Sequence, residues 1–189
     1  MKLKEFEHLY TNLKNKKFLN NEAIGGEVPF YIFPYKIEEQ TKIYENIENI
    51  KKRLQRDGIS VYEINLFDLS IEMLKERNAL QKLIENEPKL TKKRLLDMLK
   101  MMLDVENKMT KKIEELVKQN YSNIVFLTGV GEVYPFIRSH LILNNLQNKI
   151  KDRPLVMFYP GIYTKELSLF GRFKEENYYR AFNLNKLYL

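Results

Sequence analysis

The sequence predicts an α/β fold: a mostly parallel sheet of four to five strands covered by helices, Rossmann-like or P-loop-like in layout. Two features predict it. Short runs of Val, Ile, Phe and Tyr alternate with longer stretches whose apolar residues recur every three or four positions, the order of repeated strand–helix–strand units. The strand candidates are also apolar throughout, which suits a sheet buried on both faces. The 189 residues, 44% hydrophobic and 30% charged, are read as a single α/β domain, 1–189, with a helical insertion at 69–120.

The elements follow in order. Leu3, Phe6, Leu9, Tyr10 and Leu13 mark one stripe of an amphipathic helix. After a polar, glycine-bearing loop, Val28–Phe33 is β-branched and aromatic, a strand that Pro34 is expected to stop. Ile37, Ile43, Ile47, Ile50 and Leu54 return to helical spacing, and Asp57-Gly58 supplies the stop. Ile59–Phe67 is a second strand, and Asp68 is expected to cap the next helix. From there to Asn120 the pattern is helical, with breaks near Glu87-Pro88 and Asp104. Asn123–Thr128 is a third, fully apolar strand, and Gly129-Val-Gly131 is expected to turn directly into a helix through Phe136, Ile137, Leu141, Ile142 and Leu146. Leu155–Tyr159 is a fourth strand, which Pro160-Gly161 is expected to end. A last extended piece is expected at Tyr178–Phe182.

Composition excludes several kinds of chemistry. With no cysteine and only His8 and His140, disulfides, thiol nucleophiles, iron–sulfur clusters and zinc cages are unavailable. No apolar run reaches the roughly 18 residues of a membrane span, so a cytoplasmic location is expected. The net charge of +7 is spread out, since nine of 32 basic and five of 25 acidic residues lie after residue 120. That leaves +3 before the division and +4 after it, without the basic block that grips a phosphate backbone. The densest run, from Lys89 through Lys92, Lys93, Arg94 and Lys100, is interleaved with Leu95, Leu96, Met98, Leu99 and Met102. It reads as the solvated face of packed helices. DNA contact is expected only weakly or within a complex.

Ligands of open α/β sheets sit at the carboxyl ends of the strands. That rule selects a strand-end cleft of Tyr35, Asp68, Gly129, Gly131, Glu132, Arg138 and His140. The glycine turn follows a strand, as phosphate cradles do. However, Tyr134 stands where a third glycine belongs, no lysine flanks the turn, and Glu132 would repel phosphate. Ser139 and His140 are adjacent and project about 100° apart on a helix, poor geometry for a nucleophile and its base. No catalytic, cofactor or metal residue is assigned. A degenerate nucleotide- or nucleic-acid-binding domain is the second reading, and a hydrolase using Glu132, Asp68 and His140 the third. The C-terminal stretch combines arginines with aromatics, and Arg172, Tyr178, Tyr179 and Arg180 are the candidate partner-binding residues, because Arg and Tyr concentrate interface energy.

Several segments together resemble a known family. They are Phe18–Tyr35, Glu63–Asp68, Phe126–His140, Leu155–Gly161, Leu169–Arg172 and Asn177–Leu184. In this order they resemble the BrxB family of bacterial BREX phage-defence systems, from about residue 6 to 184. The resemblance implies a small component that works beside other BREX proteins, including an ATPase, a DNA methyltransferase and the phosphatase-like PglZ. It implies a protein-interaction role, with PglZ as the expected partner. It implies no reaction, because the family has no established catalytic activity.

Overall fold

The computed structural model describes residues 3–22, 28–164, 166–175 and 180–189. Five parallel strands run in the order β2-β3-β4-β1-β7. They are β1 (Phe30–Tyr35), β2 (Val61–Asn65), β3 (Ile124–Thr128), β4 (Leu155–Tyr163) and β7 (Phe182–Asn183). Two short antiparallel strands, β5 (Leu167–Leu169) and β6 (Phe173–Lys174), extend the sheet from the end of β4 and bring it to seven.

Period-two alternation sends the strand side chains to opposite faces. Phe30, Ile32, Val125, Leu127, Leu155 and Met157 meet one set of helices. These are α4 (Leu66–Glu76), α5 (Leu80–Asn86), α6 (Lys92–Leu103), α7 (Thr110–Gln119) and α8 (Ser139–Leu146). Tyr31, Phe33, Ile124, Phe126, Val156 and Phe158 meet the other set. That side holds α1 (Leu3–Leu13), α2 (Lys16–Leu19) and α3 (Gln40–Arg56). Aromatic rings tie the second face together: Phe158 lies 5.0 Å from Phe126 and 5.5 Å from Phe33, and Phe18 lies 4.6 Å from Tyr31. Tilted and edge-on pairs of this kind add roughly 0.5–1.5 kcal/mol each beyond their buried area.

Helix α3 carries the chain from β1 to the far edge at β2 over one face. Helices α4–α8 bring it back through β3 to β4 over the other. Direction and face reverse together, as a constant crossover hand requires. The loops after β3 and β1 therefore leave toward opposite faces, on either side of β4.

Four local expectations are corrected. Pro34 does not stop β1 but lies inside it, paired in register with Tyr159. Its carbonyl accepts from Asn185 Nδ2 at 3.0 Å on the β7 side. The position of the missing N–H thus also faces that side, where β7 pairs only with Tyr31 and Ile32, and no ladder bond is lost. Pro160-Gly161 does not end β4 either. The strand runs on to Tyr163, because Gly161 lets β5 approach: a Cβ there would stand 2.2 Å from the Ser168 carbonyl oxygen. Asn65, not Asp68, caps α4, accepting from the N–H groups of Phe67 and Asp68. The glycine turn does not enter a helix directly, since α8 begins only at Ser139 after turns spanning 130–137. Pro135 lies in that stretch, and it brings no backbone donor for a helical ladder.

The helical region behaves as the β2–β3 crossover. The breaks fall at Glu87–Lys89, a 3₁₀ turn, and at Asp104, which is left-handed at φ 37°. Helices α4 and α7 bury Leu66, Leu69, Met73, Leu74, Ile113 and Val117, whereas α5 and α6 each bury one residue, Leu83 and Leu103. The predicted last strand begins later, at Phe182. Tyr178 and Tyr179 lie outside the described residues. Among the described residues no helix is long and apolar enough to cross a membrane.

Candidate functional site

Three neighbourhoods lie along the carboxyl edge of the sheet. The central one unites three of the predicted residues, Tyr35, Gly129 and Glu132, and adds Gln40 and Tyr44 from α3. Tyr44 Oη donates to Glu132 Oε1 at 2.6 Å, and Gln40 Nε2 donates to the same oxygen at 3.2 Å. Burial, and then the Glu132 charge, hold the Tyr35 phenol above its ordinary range, with its hydrogen-bond contact to Tyr44 pulling the other way. Burial and the bond to Glu132 raise Tyr44 as well. Both phenols therefore stay protonated, and Glu132 Oε1 is held by two neutral donors, Tyr44 and Gln40.

The glycine turn is packed against the protein itself. Gly129 adopts φ +71°, and a Cβ on it would lie 2.2 Å from Asn65 Oδ1, the atom that caps α4. A Cβ on Gly131 would lie 2.9 Å from both Phe170 and Pro160. These glycines admit a helix cap and an aromatic ring where a cradle would admit phosphate. Low-millimolar ATP or GTP with magnesium is accordingly expected to leave the melting temperature unchanged, because a ligand at or below its Kd adds less than about 0.5 kcal/mol. A rise of several degrees in a thermal-shift assay would restore the nucleotide reading.

The second neighbourhood lies at the β2 edge. Glu63 accepts from Lys51 Nζ at 2.6 Å and from Thr128 Oγ1 at 2.8 Å, and Lys51 also reaches Glu48 at 2.7 Å. Burial works against the Lys51 charge, but the hydrogen bonds and charges of Glu48 and Glu63 outweigh it and leave the ammonium above its ordinary range. Asp68 is exposed here and lines a cavity of about 420 Å³ with Lys51, Glu63 and Glu72.

The third neighbourhood holds Arg138 and His140. His140 is buried at the start of α8, and the fully buried Glu175 carboxylate accepts from the backbone N–H groups of Ser139 at 3.4 Å and His140 at 3.3 Å. Glu175 Oε2 also stands 3.7 Å from His140 Nδ1. Arg138, in the cap position, makes no side-chain cap bond, so Glu175 reaches from the hairpin to satisfy the helix start. Burial, and then the Glu175 charge, raise the Tyr159 phenol, with Arg138 opposing. Asp68, Glu132 and His140 thus fall in three separate neighbourhoods, and the structure does not bring together the acid, base and histidine of the hydrolase reading.

Beside Glu175 the β4–β6 hairpin presents a mixed aromatic surface. Tyr134 stacks on Phe173 at 5.0 Å, and Phe170 stands edge-on to both at 6.3 Å. The Arg138 guanidinium lies 5.2 Å from the Tyr134 ring centre. Ile162 is 55% exposed and Phe173 44%, with Arg172 exposed between the strands. A groove of about 610 Å³ runs between this hairpin and the end of β1, past Tyr35, Lys36, Ile162 and Phe170. Arg180 behaves differently from Arg172: its guanidinium donates to Gln147 Oε1 at 2.9 Å and fastens the C-terminal segment beside α8.

Sequence reasoning missed Gln40, Tyr44, Ile162 and Glu175. Gln40 and Tyr44 carry a usable signal, since a four-residue spacing puts them on one helix face beside the apolar stripe. Glu175 carries none, because its partners lie 35 and 36 residues away.

Comparison with known proteins agrees over nearly the whole chain. A family model described as BREX protein BrxB matches residues 62–184. A BREX protein BrxB of Bacillus cereus (strain H3081.97) is 38% identical over 181 residues, covering 94% of this chain and 94% of the relative. A BREX protein BrxB of Escherichia coli O9:H4 (strain HS) is 30% identical over 177 residues, covering 93% of this chain and 88% of the relative. No solved structure matches the chain. The motifs at the strand ends, the family model and both relatives agree, and the chain belongs to the BrxB family of BREX proteins.

Proposed function

We propose that this protein is a non-catalytic component of a BREX anti-phage defence complex, acting as a protein-interaction module that binds the phosphatase-like PglZ. The observation that carries the reading is the hairpin surface. Ile162 and Phe173 are large apolar side chains left exposed on its two faces, Phe173 against the stacked Tyr134 ring beside Arg138 and Ile162 along the groove that passes Tyr35 and Phe170. Large apolar side chains left exposed beside such a groove mark docking sites. Aromatic and arginine side chains are the groups on which binding energy concentrates. Arg172 is the candidate anchor, and Arg180, already bonded to Gln147, is a fastener.

The test is the affinity of the purified chain for PglZ. Ile162→Asp with Arg172→Ala is expected to weaken capture at least tenfold, since hot-spot truncations cost about 2 kcal/mol or more. Both side chains are exposed, so the melting temperature should stay near that of the parent. Arg180→Ala should instead lower the melting temperature slightly and leave capture intact. An unchanged affinity in a well-folded Ile162→Asp/Arg172→Ala variant overturns the hairpin as the docking edge. Capture of a different BREX protein, with the same sensitivity to these substitutions, keeps the module and removes PglZ.

A further inference from the structure

Helix α6 is the least buried long helix of the fold. Its stripe of Leu95, Met98, Leu99 and Met102 packs on the core, and only Leu103 is fully covered. The rest of its surface is not uniformly polar. Met101 is 66% exposed, and Leu96 is half-buried with no place in the core cluster. Helical spacing groups Lys93, Leu96 and Lys100 on one flank and Arg94, Asp97 and Met101 on the other. Both outward flanks thus carry one apolar residue among charges, a pattern that packing onto the sheet does not require.

The charges are one-sided. Residues 89–103 hold Lys89, Lys92, Lys93, Arg94 and Lys100 against Asp97 alone. None of these five cations forms an ion pair among the described residues, whereas Lys51, Lys112, Lys118 and Lys149 elsewhere do. At the end of the helix two more cations bond its last backbone carbonyls. Lys108 Nζ donates to the Met101 carbonyl at 3.3 Å, and an Arg77 guanidinium nitrogen donates to the Met102 carbonyl at 2.8 Å.

We infer that the outward face of α6 is a second docking surface, and that its occupant is an acidic amphipathic helix of another protein in the same assembly. Charge selects the occupant's sign, because unpaired lysines and arginines with long apolar stems favour carboxylates at a partly dry interface. Met101 supplies the apolar anchor, and methionine adapts its shape to an incoming side chain. A helix laid along α6 over this flank would place an apolar residue on Met101 and acids against Arg94, Lys93 and Lys100. Nucleic acid fits less well. Helix α6 has no aromatic residue on which bases could stack, and a phosphate backbone gains nothing from exposed methionine and leucine. A second copy of the chain, meeting itself through this face, would set like charges against each other.

The inference rests on the reading that the chain works within a protein complex. The assembly purified from cells expressing the whole BREX operon is treated with nuclease and then with a zero-length carbodiimide that joins lysine to carboxylate. The expected result is crosslinks from Lys93 and Lys100 to Asp or Glu of a partner helix, with both lysines shielded from amine acylation relative to the free chain. Lys93→Glu with Met101→Asp is expected to remove the crosslinks from Lys100 and weaken partner retention roughly tenfold, without shifting the melting temperature of the isolated chain. Full acylation of Lys93 and Lys100 in an intact complex overturns the inference and leaves the hairpin reading standing. Loss of shielding on nuclease treatment, or crosslinks only to another copy of this chain, overturns it in favour of nucleic acid or self-association. Failure to isolate any complex removes both readings.

Discussion

Gly129→Ala is expected to destabilise the protein by about 2–3 kcal/mol. Two costs add at this position. A left-handed backbone, at φ +71°, costs a residue with a Cβ roughly 1–2 kcal/mol. The new methyl group would also stand 2.2 Å from Asn65 Oδ1 and displace the cap of α4, typically about 1 kcal/mol. For a chain of this size the melting temperature should fall by roughly 5–10 °C. Gly58→Ala is the matched control, because Gly58 also has positive φ, at +77°, but nothing lies within 4 Å of its missing Cβ. Only the backbone cost remains there, about 1–2 kcal/mol. Urea unfolding of both variants separates the two costs. Equal losses would mean that the Asn65 contact contributes nothing, and that the glycine is present for its backbone angle alone.

Glu175→Ala is expected to cost about 2–3 kcal/mol, because two N–H groups at the start of α8 lose their acceptor inside the protein. Glu175→Gln keeps the shape and one carbonyl acceptor, but Ser139 and His140 use different carboxylate oxygens, so the amide NH2 leaves one N–H without an acceptor and the charge at the helix start is lost. That loss should be about 1–2 kcal/mol. The order of stabilities, parent then Gln then Ala, is the signature of a cap supplied from another element. Equal destabilisation by Gln and Ala would mean that the remaining carbonyl acceptor contributes nothing to the cap. Because Glu175 directly follows β6, the Ala variant should also loosen the hairpin carrying Arg172 and Phe173, and partner capture should weaken with it. The Gln variant should keep capture near the parent level.

The reach of sequence reasoning can be judged element by element. Helices α1 and α3 and strand β3 were legible because their signals are local. Ile43, Ile47, Ile50 and Leu54 repeat at the helical period and all become buried, and the apolar run 124–128 is buried at every position. The breaks at Pro88 and Asp104 were legible for the same reason, since proline and helix-stop chemistry act within a few residues. The strand-end cleft was legible only in part. The carboxyl-edge rule placed Tyr35, Gly129 and Glu132 together, but it could not tell that Asp68 and His140 belong to different neighbourhoods.

The errors share one cause. Pro34 and Pro160-Gly161 were read as strand stops because proline and glycine are poor strand residues on average. Whether they interrupt a ladder depends on which side of the strand is paired. Pro34 loses nothing because β7 pairs only with Tyr31 and Ile32, and Gly161 is needed because β5 crosses against it. The sequence by itself determined the α/β class, the two-sided burial of the sheet, the absence of cysteine chemistry and the resemblance to the BrxB family. All of these rest on composition, periodicity and short motifs. Only the tertiary structure decided the strand order, the Glu175 cap on α8, the packing of Asn65 and Phe170 into the space left by the glycines, and the exposure of Ile162 and Met101. Each of these depends on which distant segments meet, and pairing over long sequence separations leaves no period or motif in the residues that make it.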